Sequence, residues 1–489
     1  MARSASRPSD RSSVGGSQNA LLKAASTSDS REATRELEPM TIPDLRKPGE
    51  VIDCMACIGD GEPVRGFLQL PSQAGPGLLR MVAPGTVGVG DNSLEEVRLS
   101  LLEGHDSGPA CLPNCYVKAV RFGIPETTPY PAEIAINSAI VGSEDAERTY
   151  PSISISNHRA VRFLDRNPTT TQDVVSNYAV REERASVPFG EHQMQLLEIG
   201  TVDNSGDEAE VTVRWWMEVV LTGPPKTLGE WTNFVMPALS LLSFCLDEPL
   251  SPERIHTMDG SRLVDLHLRW RENSAPSRPS ALMTLDKVRD RFAQVAETWG
   301  RIQLEAPELM WQLIEYQLRR GHRINADQFI LVARCLELYF SYSDRFESVM
   351  RSPEDHRQLV GQVIEGMSPD LRDQEGEWIE GMLLGSNRAS LLDQVRRILD
   401  SFGGEVLRFC GIPSDREEFA KTVRDTRNFF THLPSDRPTR VPDGRDLIVL
   451  HHRLWFLLRA CLLRDMGFAE SKVVELLAAA GQTHYLIRG

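Results

Sequence analysis

The sequence predicts an α+β, multidomain chain in which a β-sandwich-like N-terminal domain is followed by an all-α helical bundle. Three observations carry this. Between about residues 46 and 222, apolar residues come in short, alternating runs bounded by Gly, Pro, Asn and Asp. From residue 281 onward they recur at 3.6-residue spacing in one segment after another. Between the two lies a polar, Pro-containing stretch, Arg271 to Ser280 (RENSAPSRPS), which marks the main boundary. The expected domains are therefore a tail over 1–45, a β-rich domain over 46–270 with a helical end, and a helical domain over 281–489.

The elements follow in order. Nine of the first 30 residues are Ser, so the head cannot bury enough apolar area to offset its ordering entropy and reads as a flexible tail. Val64 to Leu70 is a short strand. Glu210 to Leu221 is the clearest one, with Val211, Val213, Trp215, Met217, Val219 and Leu221 on one face. Thr212, Arg214, Trp216 and Glu218 take the other, as in a half-buried antiparallel strand. Trp215 and Trp216 are expected to pack on the sheet. Thr227-Leu-Gly-Glu230 is a capping box before an apolar helix ending near Cys245. After the boundary, helices are expected over 285–302, 307–319, 326–342, 388–402, 417–432, 446–466 and 471–480. Trp378 and Ile379, an adjacent aromatic and aliphatic pair, read as core.

Composition sets outer limits on function. With 41% hydrophobic and 25% charged residues, the 489-residue chain is neither disordered throughout nor collagen-like. Its net charge of −15 means that any polyanion site is a local basic island. The best apolar run, Phe234 to Leu246, is too short to span a bilayer and holds Pro237 and Ser243. Eight cysteines in a chain this long make no disulfide framework, and no secretory apolar region precedes them, so a cytoplasmic protein with reduced thiols is expected. Cys54, Cys57, Cys111 and Cys115 form two close pairs that could complete a tetrahedral zinc site; ordinary buried thiols are the preferred reading.

One stretch looks chemical: Lys421-Thr-Val-Arg-Asp-Thr-Arg-Asn-Phe-Phe-Thr-His432, followed by Leu433 and Pro434. Asn428 and His432 are i and i+4 and share a helix face. Pro434 ends the helix, so His432 lies in its last turn, where the dipole favours imidazolium. A permanent cation, an amide and a histidine suit phosphodiester chemistry. His432 can move a proton, Arg427 can neutralise charge growing on phosphate oxygens, and Asn428 can orient the attacking or leaving group. Between Lys421 and Arg464 nine Lys and Arg stand against four Asp, a local reversal of the chain's sign. The next helix, Leu447 to Leu463, is apolar almost all round and must be buried in the bundle or against a partner.

Arg427-Asn428-Phe-Phe-Thr-His432 resembles the RNxxxH motif of HEPN domains, helical ribonuclease modules of bacterial toxins and antiviral systems. Asn325 to Glu337 is similar to the first core helix of one subgroup, and Asn387 to Leu399 to its middle helix. The order of a β-rich domain, a helix opening on Leu228-Gly-Glu-Trp231 and this bundle resembles the ApeA family of phage-defence proteins. The early segment Gly66 to Leu70 fits the same pattern. The resemblance implies catalytic roles for Arg427 and His432, support from Asn428, and an acidic residue, Glu337, that orients them. Arg424 is a candidate phosphate contact. Some HEPN toxins carry a regulatory Tyr two residues after the His; this chain has Pro434 there.

The function implied is a metal-independent endoribonuclease without cofactor, in which a 2′-hydroxyl attacks the adjacent phosphate. Single-stranded loops, those of tRNA among them, are the expected substrates, and the active form is expected to be a homodimer or higher homo-oligomer. Leu447 to Leu463 offers a surface for that contact. A phage-derived trigger acting through the β-domain is a further expected partner, and no membrane is. The alternative is a non-catalytic HEPN scaffold for oligomerisation and RNA binding.

Overall fold

The computed structural model of the protein describes residues 51–480 except 59–63, 71–76, 84–92, 102–108, 120–129, 137, 142, 144, 166–168, 174–179, 204–209, 269–280, 320–323, 348 and 434–435. For several N-terminal strands it describes the backbone alone. The expected tail over 1–45 and the expected boundary at 271–280 lie outside the described residues.

The first half is antiparallel sheet. Its strands are β1 (Val51–Ile58), β2 (Val64–Gln69), β3 (Gly77–Ala83), β4 (Ser93–Leu101), β5 (Pro109–Ala119), β6 (Tyr130–Ile136), β7 (Ser138–Val141), β8 (Thr149–Asn157), β9 (Thr169–Asp173), β10 (Val180–Phe189), β11 (His192–Asp203), β12 (Glu210–Thr227), β13 (Arg254–Asp259) and β14 (Arg262–Leu268). They form one 14-stranded sheet in the order β10-β11-β12-β8-β13-β14-β7-β5-β4-β1-β2-β3-β6, with β9 on β12. Because β6 also pairs β5, the strands β1, β2, β3, β6, β5 and β4 close into a ring. The antiparallel strands are as the sequence predicts; their pairing runs as one continuous sheet, where a sandwich would have two.

Strand β12 shows why alternation alone misassigned a face. Met217, Val219 and Leu221 are buried as expected, but so is Glu218, at 3% exposure. Its carboxylate lies 3.5 Å from Arg181 and 3.4 Å from His256, and burial of a charge needs such partners. Trp215 packs over Gly200, its cross-strand neighbour, where a Cβ would meet the indole at 2.8 Å. Both tryptophans are half-buried on the sheet, in the packing role expected of them.

Strand β12 runs directly into helix α1 (Leu228–Leu246). Thr227 accepts from the Glu230 N–H while the Glu230 carboxylate accepts from the Thr227 N–H, the predicted capping box. Fourteen of the 19 residues of α1 are buried, so the apolar run is a core helix. Among the described residues no helix is long and apolar enough to cross a membrane. Trp231 donates to the Tyr150 carbonyl of β8 at 2.9 Å and Trp299 to the Pro237 carbonyl at 3.1 Å, so α1 is held by sheet and helices alike.

The helices that follow are α2 (Leu285–Val288), α3 (Phe292–Glu305), α4 (Pro307–Arg319), α5 (Ala326–Tyr342), α6 (Pro353–Glu365), α7 (Pro369–Gly385), α8 (Leu391–Asp400), α9 (Gly404–Phe409), α10 (Arg416–His432), α11 (Gly444–Asp465) and α12 (Glu470–Ala479). The single helix expected over 285–302 is broken by a 3₁₀ turn at Arg289–Arg291. One contiguous core runs from Ile140 on the sheet through α1 to Ala480 after α12. Helix α11 lies largely inside it: from Leu447 to Leu463 its apolar side chains are buried within the chain, except those of Ile448 and Val449, which are half-buried. Burial within the bundle, one of the two alternatives expected for this helix, accounts for most of its apolar surface.

Helices α6 and α7 depart most from expectation. They pack on each other as an arm whose buried residues are His356, Val360 and Gly376. Trp378 is 65% exposed and Met382 62%, so the expected core role of Trp378 is wrong. Val349 bridges Arg388 at the base, where Asn387 accepts from the Met350 N–H at 2.8 Å and donates to the Arg351 carbonyl at 2.9 Å. Between Ser352 and Ser386 eight Asp and Glu face two Arg, a surface that repels a phosphate chain.

Candidate functional site

Helix α10 carries the motif. Asp415 caps its start by accepting from the Glu418 N–H at 2.8 Å, and Glu417 and Glu418 complement the dipole in its first turn. Phe419, Ala420, Val423 and Thr426 recur at i, i+1, i+4 and i+7 and form its buried face, which packs on α5 and α8. The buried Thr426 hydroxyl donates to the Thr422 carbonyl at 2.6 Å. The helix ends on Leu433 in the left-handed region (φ 45°), whose N–H donates to the Phe429 carbonyl. His432 is thus the last helical residue, as predicted.

Arg427 lies beside the buried face and reaches across to α5. Its Nε donates to Glu337 Oε1 at 3.0 Å and its Nη2 to Oε2 at 3.5 Å, a two-pronged clamp between residues 90 positions apart. The Glu337 side chain is 15% exposed and that of Arg427 27%, so the pair sits at the rim of the bundle. The clamp uses Nε and one Nη2 proton, and the guanidinium keeps further donors for an anion. Asn325 caps the start of α5, and Phe329 meets Phe430 edge-on at 6.4 Å, which fixes the two helices against each other.

The structure does not bring the whole motif together in one chain. Asn428 and His432 are exposed on α10, and neither makes a side-chain hydrogen bond to the described residues. Five positions at roughly 100° per residue turn His432 about 140° away from Arg427. Arg424 is occupied by its neighbour: its Nε donates to Asp425 at 2.8 Å and its Nη2 lies at 2.7 Å.

The basic island is weaker than its count. Lys421 lies 3.1 Å from Glu417, and Arg440 lies 2.7 Å from Glu418 and 3.9 Å from Asp425. Arg459 is fully buried, 3.1 Å from Asp247 at the end of α1 and stacked near Phe244, Trp455 and Phe456. Glu417 is held down to about 2 by hydrogen bonds from Arg396 and Lys421 and is ionised throughout the physiological range. The excess positive charge of 421–464 is thus largely matched by carboxylates outside that stretch.

Two residues of the site were missed in the sequence. Arg334, one turn before Glu337, places Nη1 3.7 Å from Glu337 Oε2 and donates from Nη2 to Glu308 at 2.7 Å. The i,i+3 spacing of Arg334 and Glu337 was a legible signal; Glu308, on α4, was not. Of the thiols, Cys54 is buried, while the side chains of Cys57, Cys111 and Cys115 lie outside the described residues. Among the described residues no cluster of three or more His, Cys, Asp or Glu is placed to hold a metal ion.

Helix α10, with its Arg-Asn-x-x-x-His motif, and the carboxylate that clamps its Arg from α5 lie in one segment of the chain. Residues 330–472 match the family model described as Apea-like HEPN, which supports an ApeA-like HEPN protein. The match takes in both Glu337 and the Arg427–His432 motif and agrees with the resemblance read from those residues. It points to a nuclease or defence-related role. No curated protein and no solved structure matches the chain.

Proposed function

We propose that the chain is an anti-phage endoribonuclease of the cytoplasm that cleaves RNA without a metal, through Arg427 and His432. The observation that carries this is the Glu337 clamp, which fixes a guanidinium at the bundle rim with donors to spare. In the proposed step His432 takes the proton of the 2′-hydroxyl as its oxygen attacks the adjacent phosphorus. Arg427 neutralises the charge that grows on the phosphoryl oxygens, and Asn428 orients the ribose. The bond to the 5′-oxygen breaks, that oxygen is protonated, and a 2′,3′-cyclic phosphate and a 5′-hydroxyl remain.

The angle between Arg427 and His432 favours a site shared by two copies. A two-fold axis beside α10 would set two motifs around one phosphate, with one His432 as base and the partner's His432 as acid. The substrates proposed are single-stranded loops, tRNA included. The sheet domain is proposed to sense a phage-derived trigger and restrain the nuclease, with cleavage aborting the infection.

The test is incubation of wild type and His432→Ala with total RNA in excess EDTA, followed by end-group analysis. New cyclic phosphate ends with wild type alone support the reading. A Mg²⁺ requirement restored on re-addition would overturn it. The paired state of Lys421, Arg424 and Arg440 favours a second reading, a HEPN scaffold without catalysis; it predicts intact RNA under every activating condition.

A further inference from the structure

We propose that Arg334 is a second phosphate-binding cation of the site, held ready by Glu308, which an RNA phosphate displaces. The inference rests on the nuclease reading above and adds a contact to it. Its basis is an arrangement of four side chains from three helices: Glu308 of α4, Arg334 and Glu337 of α5, and Arg427 of α10. Glu337 is shared, with Arg427 on Oε1 at 3.0 Å and Arg334 beside Oε2 at 3.7 Å. Two guanidinium groups therefore flank one carboxylate at the same rim.

The two acids differ in how firmly they hold. Glu337 is 15% exposed and is gripped from two sides. Glu308 is 60% exposed and among the described residues makes one contact, to Arg334 Nη2 at 2.7 Å. An exposed pair of that kind is weak, so a phosphate with two anionic oxygens competes for Arg334 on favourable terms. Displacing Glu337 would instead uncover a carboxylate set between helices. The exchange thus occurs at Arg334, 42% exposed, while Arg427 stays clamped. With Glu308 displaced, the site presents two guanidiniums against one carboxylate, a net positive charge where the resting cluster has none.

This makes a prediction of sign that a merely structural ion pair does not share. Removing either partner of a structural pair has effects in the same direction. Here Arg334→Gln weakens RNA binding, whereas Glu308→Gln strengthens it by releasing Arg334. The probe is a fluorescein-labelled single-stranded RNA with 2′-O-methyl groups throughout, which binds but offers no nucleophile. Its anisotropy is titrated with full-length protein at several salt concentrations.

The expected result for Arg334→Gln is an affinity several-fold lower, with the salt slope reduced by about 0.7–1. Glu308→Gln should bind several-fold more tightly, with a slope at least that of wild type. Melting temperatures check that both variants are folded. Shifts in the same direction, or no shift in either, overturn the proposal even when wild type cleaves RNA. Wild type that neither binds nor cleaves overturns the nuclease reading and this one with it; cleavage with unshifted variants overturns this one alone.

Discussion

Two arginine–carboxylate pairs stand at opposite extremes in this molecule. Arg459 and Asp247 lie 3.1 Å apart with side chains 0% and 1% exposed, ringed by Phe244, Trp455 and Phe456. Arg427 and Glu337 lie 3.0 Å apart at the rim, with side chains 27% and 15% exposed. Their chemistry is alike and their distances nearly equal, so burial decides what each does. The buried pair joins the end of α1 to α11 and has no room for a ligand. The rim pair fixes a guanidinium and still faces solvent.

Breaking the buried pair should have the largest effect on stability. Asp247 is in the left-handed region (φ 55°), which Asn tolerates, so Asp247→Asn removes the charge and keeps the backbone. Removing the charge that faces a guanidinium in the core should cost about 3–5 kcal/mol, read as a lower urea midpoint. A change under about 1 kcal/mol would refute the contrast between the pairs. Next come Arg427→Ala and His432→Ala, each expected to lower cleavage by about 10²–10³-fold. Stability should move by no more than about 1 kcal/mol, since both residues lie at the surface or rim. Full cleavage by either variant would remove that residue from the site.

Glu337→Gln should lower cleavage by roughly tenfold, because one amide oxygen still accepts from Arg427 while the charge is lost. The smallest effect concerns Glu417, whose folded carboxyl titrates near 2 against an ordinary 4.5. A depressed carboxyl pKa stabilises the fold above the unfolded value and loses that contribution as pH falls from about 4.5 toward 2. Glu417→Gln should lower the urea midpoint slightly near neutrality and flatten its dependence on pH in that window.

What the sequence revealed depended on where the determining contacts lie. Helices α4 and α5 run over the residues expected of them because Pro307, Asn325 and their apolar spacing are local signals. Helices α6 and α7 escaped notice because their apolar residues are mostly exposed and follow no core face. The signal available was a pair of capping serines before proline, Ser352-Pro353 and Ser368-Pro369. Counting charges from Lys421 left out Glu417 and Glu418 and could not show that Arg459 is internal. At the candidate site, the Arg427–Glu337 contact spans 90 positions, and family resemblance, not spacing, singled out the acid.

The base of the arm has a consequence for folding. Because Asn387 ties back to Met350 and Arg351, the contacts of α6 and α7 with each other are local in the chain. Such a unit forms quickly, without waiting for the long-range pairings that β8, β12 and β13 need. Once closed, it turns the long detour between α5 and α8 into a short link, which lowers the entropic cost of bringing those two helices together. The arm is therefore expected to act during folding as a clip, drawing α8 toward the helix that carries Glu337 before α10 supplies Arg427.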